Sequence, residues 1–137
     1  MRKTLSMKAL FQKILMAVVS FTILNVWLFR FSKSTIYRGG DAVDMISEFA
    51  AYGLSTSVLY MVGAIKVLSA VLLLIGFGYS KLVKPASYVI SVMMLAAIYF
   101  HYSIADQWLK SLPAALMLLS SLLIIYLDRR MSTMVNY

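Results

Sequence analysis

The stretch YMVGAIKVLSAVLLLIG, residues 60–76, decides the fold. It is apolar over a length that crosses a hydrocarbon core of about 30 Å, yet Lys66 stands at its middle. A lysine at the centre of a spanning helix costs about 2.5–3.5 kcal/mol on insertion scales, so it faces protein or water rather than lipid. A lone helix offers neither. The rest of the chain must therefore build a bundle that shelters Lys66.

The composition agrees. Of 137 residues, 62% are hydrophobic and 13% charged, with a mean hydropathy of +0.86. A soluble domain runs near 45–50% apolar and about 25% charged, so this is an integral membrane protein with one compact domain. There is no cysteine, which excludes disulfides, thiolate metal sites, thioether-linked haem and dithiol redox chemistry. The net charge of +8 raises nucleic acid as a partner. The basic residues flank apolar spans, where topology demands them, so the expected partner is the lipid bilayer and no nucleic acid.

Outward from the central stretch, three further spans are legible. Residues 1–13 are a basic N-terminus, and Ile14–Phe29 is the first span. Its end, Trp27-Leu28-Phe29-Arg30, is bulky where signal cleavage needs small residues, so it reads as an uncleaved helix. Val18, Thr22, Asn25 and Phe29 fall on one helical stripe, which predicts that Asn25 faces the bundle. The second span is Ser57–Gly76, the third Pro85–Ile104 and the fourth Leu112–Leu127, with prolines in first turns where they cost least. The tail, residues 128–137, is polar and predicted loose. The fold class is therefore all-α: a polytopic four-transmembrane-helix bundle, residues 14–127.

The longest connection, Phe31–Thr56, carries a short amphipathic pattern. Val43, Ile46, Phe49 and Ala50 share a face, Asp41 can cap the N-terminus and Gly53 can end the helix. Residues 42–52 are too short to span. They are predicted to lie on the membrane surface or over the bundle mouth, with Glu48 on the solvated face.

Arg2, Lys3, Lys8, Lys13, Lys81, Lys84, Arg129 and Arg130 lie on the side of the termini, against Arg30, Lys33, Arg38 and Lys110 on the other. The bias predicts cytoplasmic termini. The expected location is a bacterial inner (plasma) membrane.

Lys66 leans towards the N-terminus of its helix and His101 back along its own, so the two converge from opposite directions. Ser87, Ser91, Met94, Ile98 and His101 form one stripe on the third span. Asp106 and Glu48 are the nearest candidate counter-charges for Lys66. The ligand-binding or relay candidates are thus Lys66, His101, Asp106, Asn25 and Glu48, and no catalytic residue is assigned. For Lys66 the bland alternative is an internal ion pair that fixes packing, and for Asn25 it is interhelical glue. One histidine with scattered carboxylates makes a poor metal site and does not supply both axial ligands of a bis-histidine haem, so no metal and no identifiable cofactor are expected.

The stretches RGGDAVDMISEFAAYGL (38–54), GAIKVLSAVLLLIG (63–76), MMLAAIYFHYSIAD (93–106) and KSLPAALML (110–118) together resemble the DoxX-like membrane proteins. The features that match are a glycine three residues before a lysine (Gly63, Lys66), a small-residue helix ending in histidine (Ala96, Ala97, His101), and an aspartate shortly after (Asp106). The resemblance covers about Phe29 to Leu127. It implies a small four-helix membrane protein and links to membrane redox complexes and oxidative-stress responses, with quinone as the implied small molecule and a membrane redox protein as the implied partner. Three functions stay open on sequence: a binding or accessory subunit, whose oxidoreductase role would be only as part of a complex; a small transporter or permeability factor; and a structural assembly partner, a homo-oligomer included.

Overall fold

The computed structural model describes residues 2–135. Helix α1 is Arg2–Leu24, continued by a π-turn over Asn25–Phe29; α2 is Met45–Ala51, α3 Thr56–Ile75, α4 Val83–Ser103 and α5 Trp108–Val135. Four of these segments are long and apolar enough to cross a membrane. The protein is an all-α integral membrane bundle of four spans, with α2 in the first connection. An even number of spans places both ends of the chain on one side. The opposite side, formed by residues 30–55 and 104–107, is here termed the loop side.

Helix α1 begins well before Ile14. Leu5, Ala9, Gln12, Met16, Val19, Ile23 and Trp27 recur at helical spacing and turn towards the bundle, and the Gln12 amide donates to the Ile124 carbonyl at 3.2 Å. The basic N-terminal residues, rich in good helix formers, are thus a helical extension of the first span. The tail behaves alike. No glycine or proline interrupts residues 128–135, and α5 continues through them where a loose segment was expected. Its start is also earlier, at Trp108, so Pro113 lies inside the helix and removes one backbone rung.

The core is a seam of Met16, Val19, Ile23, Leu59, Ala70, Leu73, Ile90, Met94 and Ile124. Small buried residues, Ser20, Gly63, Ser69, Ser87, Ser91 and Ser121, let the helices approach closely, as membrane interfaces require. Ser69, Ser91 and Ser121 return their hydroxyls to the carbonyl four residues back, at 2.7, 2.8 and 2.8 Å. The most extensive packing is between α4 and α5. The predicted α4 stripe from Ser87 to His101 does face inward.

Helix α2 departs from its predicted register. Asp44, not Asp41, caps it: the Asp44 carboxylate accepts from the Ser47 N–H at 2.7 Å, and the Ser47 hydroxyl accepts from the Asp44 N–H at 3.2 Å. Asp41 is still within the turn that Gly40 makes at φ +57°. The buried face is Met45, Glu48 and Phe49, while Val43 and Ile46 are exposed. Glu48 is therefore buried rather than solvated, because a basic partner waits beneath it.

Candidate functional site

A cavity of about 610 Å³ opens between the four spans and beneath α2, within the 300–1,000 Å³ typical of small-molecule sites. Its walls are apolar, among them Val26, Phe49, Val62, Met94, Ala97 and Met117. Both Lys66 and His101 line it, one at each end.

The loop-side end is built from the run Arg38-Gly39-Gly40. Arg38 is 5% exposed. Its guanidinium donates to the Glu48 carboxylate at 2.9 Å, to the Met45 sulfur at 3.3 Å, and to the carbonyls of Arg30 and Lys33 at 2.6 and 3.0 Å. Carbonyls at a helix C-terminus lack partners within the helix, and the planar fork of an arginine suits several acceptors at once. Arg38 thus ties the end of α1 to α2. Gly39 leaves the space that the Tyr52 ring fills, since a Cβ there would collide with the phenol. Gly40 turns its N–H to the Asp106 carboxylate at 3.0 Å, and its carbonyl accepts from the Lys110 ammonium.

Asp106 is placed by the turn between α4 and α5. Ala105 adopts φ 55°, a left-handed conformation uncommon for a residue with a Cβ, and this returns the Asp106 N–H to the His101 carbonyl at 3.0 Å. The Asp106 carboxylate then meets His101 Nδ1 at 2.7 Å, with Lys110 Nζ at 3.8 Å. Burial alone would raise the Asp106 carboxyl, but hydrogen bonds from His101 and Gly40 and the Lys110 charge hold it below the usual carboxylate range. Tyr52 joins the Arg38–Glu48 ion pair to the His101–Asp106 hydrogen bond. Its hydroxyl lies 2.9 Å from Glu48 and 3.3 Å from the His101 ring nitrogens. Burial and the Glu48 carboxylate push the phenol well up, which keeps it a donor. The continuous chain is Arg38, Glu48, Tyr52, His101, Asp106, Lys110.

The opposite end is bare by comparison. Lys66 lies ten residues inside α3, about 15 Å below its loop-side terminus. Among the described residues no carboxylate and no hydrogen-bond acceptor meets its ammonium. Its one specific contact is the Trp27 ring, whose centroid lies 5.5 Å away, a cation–π pair worth about 0.5–2 kcal/mol. Trp27 sits in the π-turn, closed by the Arg30 N–H to the Asn25 carbonyl at 2.9 Å. Gly63 makes room for the indole: a Cβ there would stand 2.7 Å from the ring.

The five predicted residues thus separate. Lys66, His101 and Glu48 line the cavity; Asp106 stands directly behind His101. Neither acid pairs directly with Lys66, since Glu48 is held by Arg38 and Asp106 by His101, although the Glu48 charge still acts on it from beyond contact distance. Asn25 is a correction. It is exposed, along with Val18 and Phe29 of its predicted stripe, and it does not line the cavity. Sequence reasoning did not pick out Arg38, Tyr52, Lys110 and Trp27 as site residues. The signal that could have found the first two is the glycine pair after Arg38, which marks a close backbone approach.

The profile of the DoxX-like family matches residues 14–124. The chain belongs to the DoxX-like family. No curated protein and no solved structure matches it. In this DoxX-like protein, the lysine of α3 and the histidine near the end of α4 line one cavity, the aspartate stands behind that histidine, and the glycine of α3 makes room for Trp27 beside the lysine.

Proposed function

We propose that this DoxX-like protein is a binding or accessory subunit of a membrane redox complex, and that it holds a small molecule, a quinone headgroup or an anion, between Lys66 and His101. One observation carries the reading: the two residues line a single cavity with apolar walls. That combination of apolar enclosure and a few placed polar groups is what small-molecule sites share. Lys66 supplies a charge. His101, backed by Asp106 and joined to Tyr52, supplies a hydrogen bond or a proton. An ionisable residue within a spanning helix is a functional hypothesis by default, and the lack of a contact-distance acid among the described residues supports that reading for Lys66.

The test is purification from native membranes, followed by mass spectrometry of bound quinones, lipids and proteins. The wild-type protein is expected to carry a ligand, and Lys66→Met and His101→Ala to be folded but empty. Residues that share a site are not additive, so the double variant should be little worse than either single one. Strict additivity would overturn the shared site. The same reading places the termini in the cytoplasm and the cavity mouth outside. An impermeant thiol reagent on intact cells should then label Ser34→Cys and not Ser132→Cys; the reverse pattern would invert the topology.

A further inference from the structure

The formal charges of the cavity lining are lopsided. Arg30, Arg38, Lys66 and Lys110 line it against a single acid, Glu48. The pairs already described account for part of this. Arg38 is matched by Glu48, and Lys110 lies beside Asp106 and the Gly40 carbonyl. Two are left: Arg30, half-buried at the loop side, and Lys66, deep in the cavity, with an aromatic face on one side and apolar walls around it. A buried charge is ordinarily paired and hydrogen-bonded, and a cleft of one sign with low-dielectric walls focuses its field on whatever enters.

We infer that the ligand carries the missing charge: the cavity takes a single-chain amphiphile with a carboxylate head. The carboxylate accepts hydrogen bonds from the Lys66 ammonium in the space that Trp27 leaves open. The hydrocarbon chain lies along Val62, Met94, Ala97 and Met117, whose methionines adapt to chain shape. This deepens the proposed binding role and rests on it, but it names an anion where a neutral quinone would also fit the walls. Charge complementarity selects between the two. A neutral headgroup leaves Lys66 without an opposite charge, whereas a carboxylate satisfies it.

The probe is 2-bromododecanoate, whose bromine quenches a nearby indole, compared with its neutral methyl ester. The full-length protein carries Trp108→Phe, an exposed position, so that Trp27 alone reports. Saturable quenching by the acid at lower concentration than by the ester is expected. Lys66→Met should weaken the acid roughly 10–100-fold, the worth of a hydrogen bond to a charged group, and leave the ester unchanged. Lys66→Arg should retain the preference for the acid. Equal affinity for acid and ester, or a preference that survives in Lys66→Met, would overturn the anionic class while leaving a binding cavity in place. Quenching by neither probe, with wild-type protein that also carries no quinone or lipid, would overturn the binding role itself.

Discussion

The two ends of the cavity solve the same problem in opposite ways. At the loop side the buried polar groups are partnered: Arg38 with Glu48, Asp106 with His101, and Tyr52 between them. At the deep end Lys66 has an aromatic ring and, among the described residues, no ionised group in contact. Paired groups brace a structure, and removing one strands the other. A group with no internal partner braces nothing and can be removed without a stranded mate. The difference teaches which residues hold the bundle shut and which face outward to a ligand.

Mutation should separate the ends by their effect on stability. The largest loss is expected from Glu48→Gln, which leaves Arg38 buried and uncompensated; breaking such a pair costs about 3–5 kcal/mol, and thermal unfolding in detergent should report it. A double variant Arg38→Met, Glu48→Leu should recover much of that loss, since an apolar pair of similar size carries no desolvation penalty. If Glu48→Gln unfolds like the wild type, the loop-side end is not the brace.

Asp106→Asn comes next, with an expected loss of about 1–3 kcal/mol at neutral pH. The Asp106 carboxyl titrates below its usual 3.8 in the folded protein. Its ionised form therefore stabilises the fold above that value, and the stabilisation drains away as pH falls below it. The wild type should lose stability on that acid limb, and Asp106→Asn should lose correspondingly less there. The smallest effect belongs to Lys66→Met. It should leave the unfolding temperature unchanged or slightly raised, because it removes only a half-buried charge with no acid in contact and a cation–π contact of about 0.5–2 kcal/mol. A loss as large as that of Glu48→Gln would show that Lys66 is internally paired after all, and the contrast between the ends would vanish.

Much of this was legible in the residues. Long apolar runs bounded by charges and prolines locate four spans, and the 3.6-residue period of Ser87, Ser91, Met94, Ile98 and His101 picks the inner face of α4 correctly, because serines and a histidine stand out against apolar neighbours. The same reasoning failed on α1. In lipid the outer face of a helix is as apolar as the inner one, so Asn25 drew its stripe outward while the true inner face, Met16 to Trp27, is marked only by the small hydroxyl of Ser20. It failed on α2 for another reason. Glu48 is buried because Arg38, ten residues upstream in a loop, folds back under it, and no periodicity records a pairing across a turn. The chain Arg38 to Lys110 likewise joins segments up to 70 residues apart, and only the closed fold brings them together.

The π-turn at Asn25–Phe29 has a consequence for how this chain can change over time. Such a turn holds one more residue than the helix needs, and each helical residue advances the direction of the chain by about 100°. Losing a single residue there would let the turn close as ordinary α-helix, whereas losing one between Phe31 and Arg38 would draw the Arg38 guanidinium away from the Arg30 carbonyl that it now reaches. Loops normally accept gains and losses of length. Here substitution at an exposed position such as Asn25 is expected to cost little, while a change of length between Phe31 and Arg38 is expected to cost more.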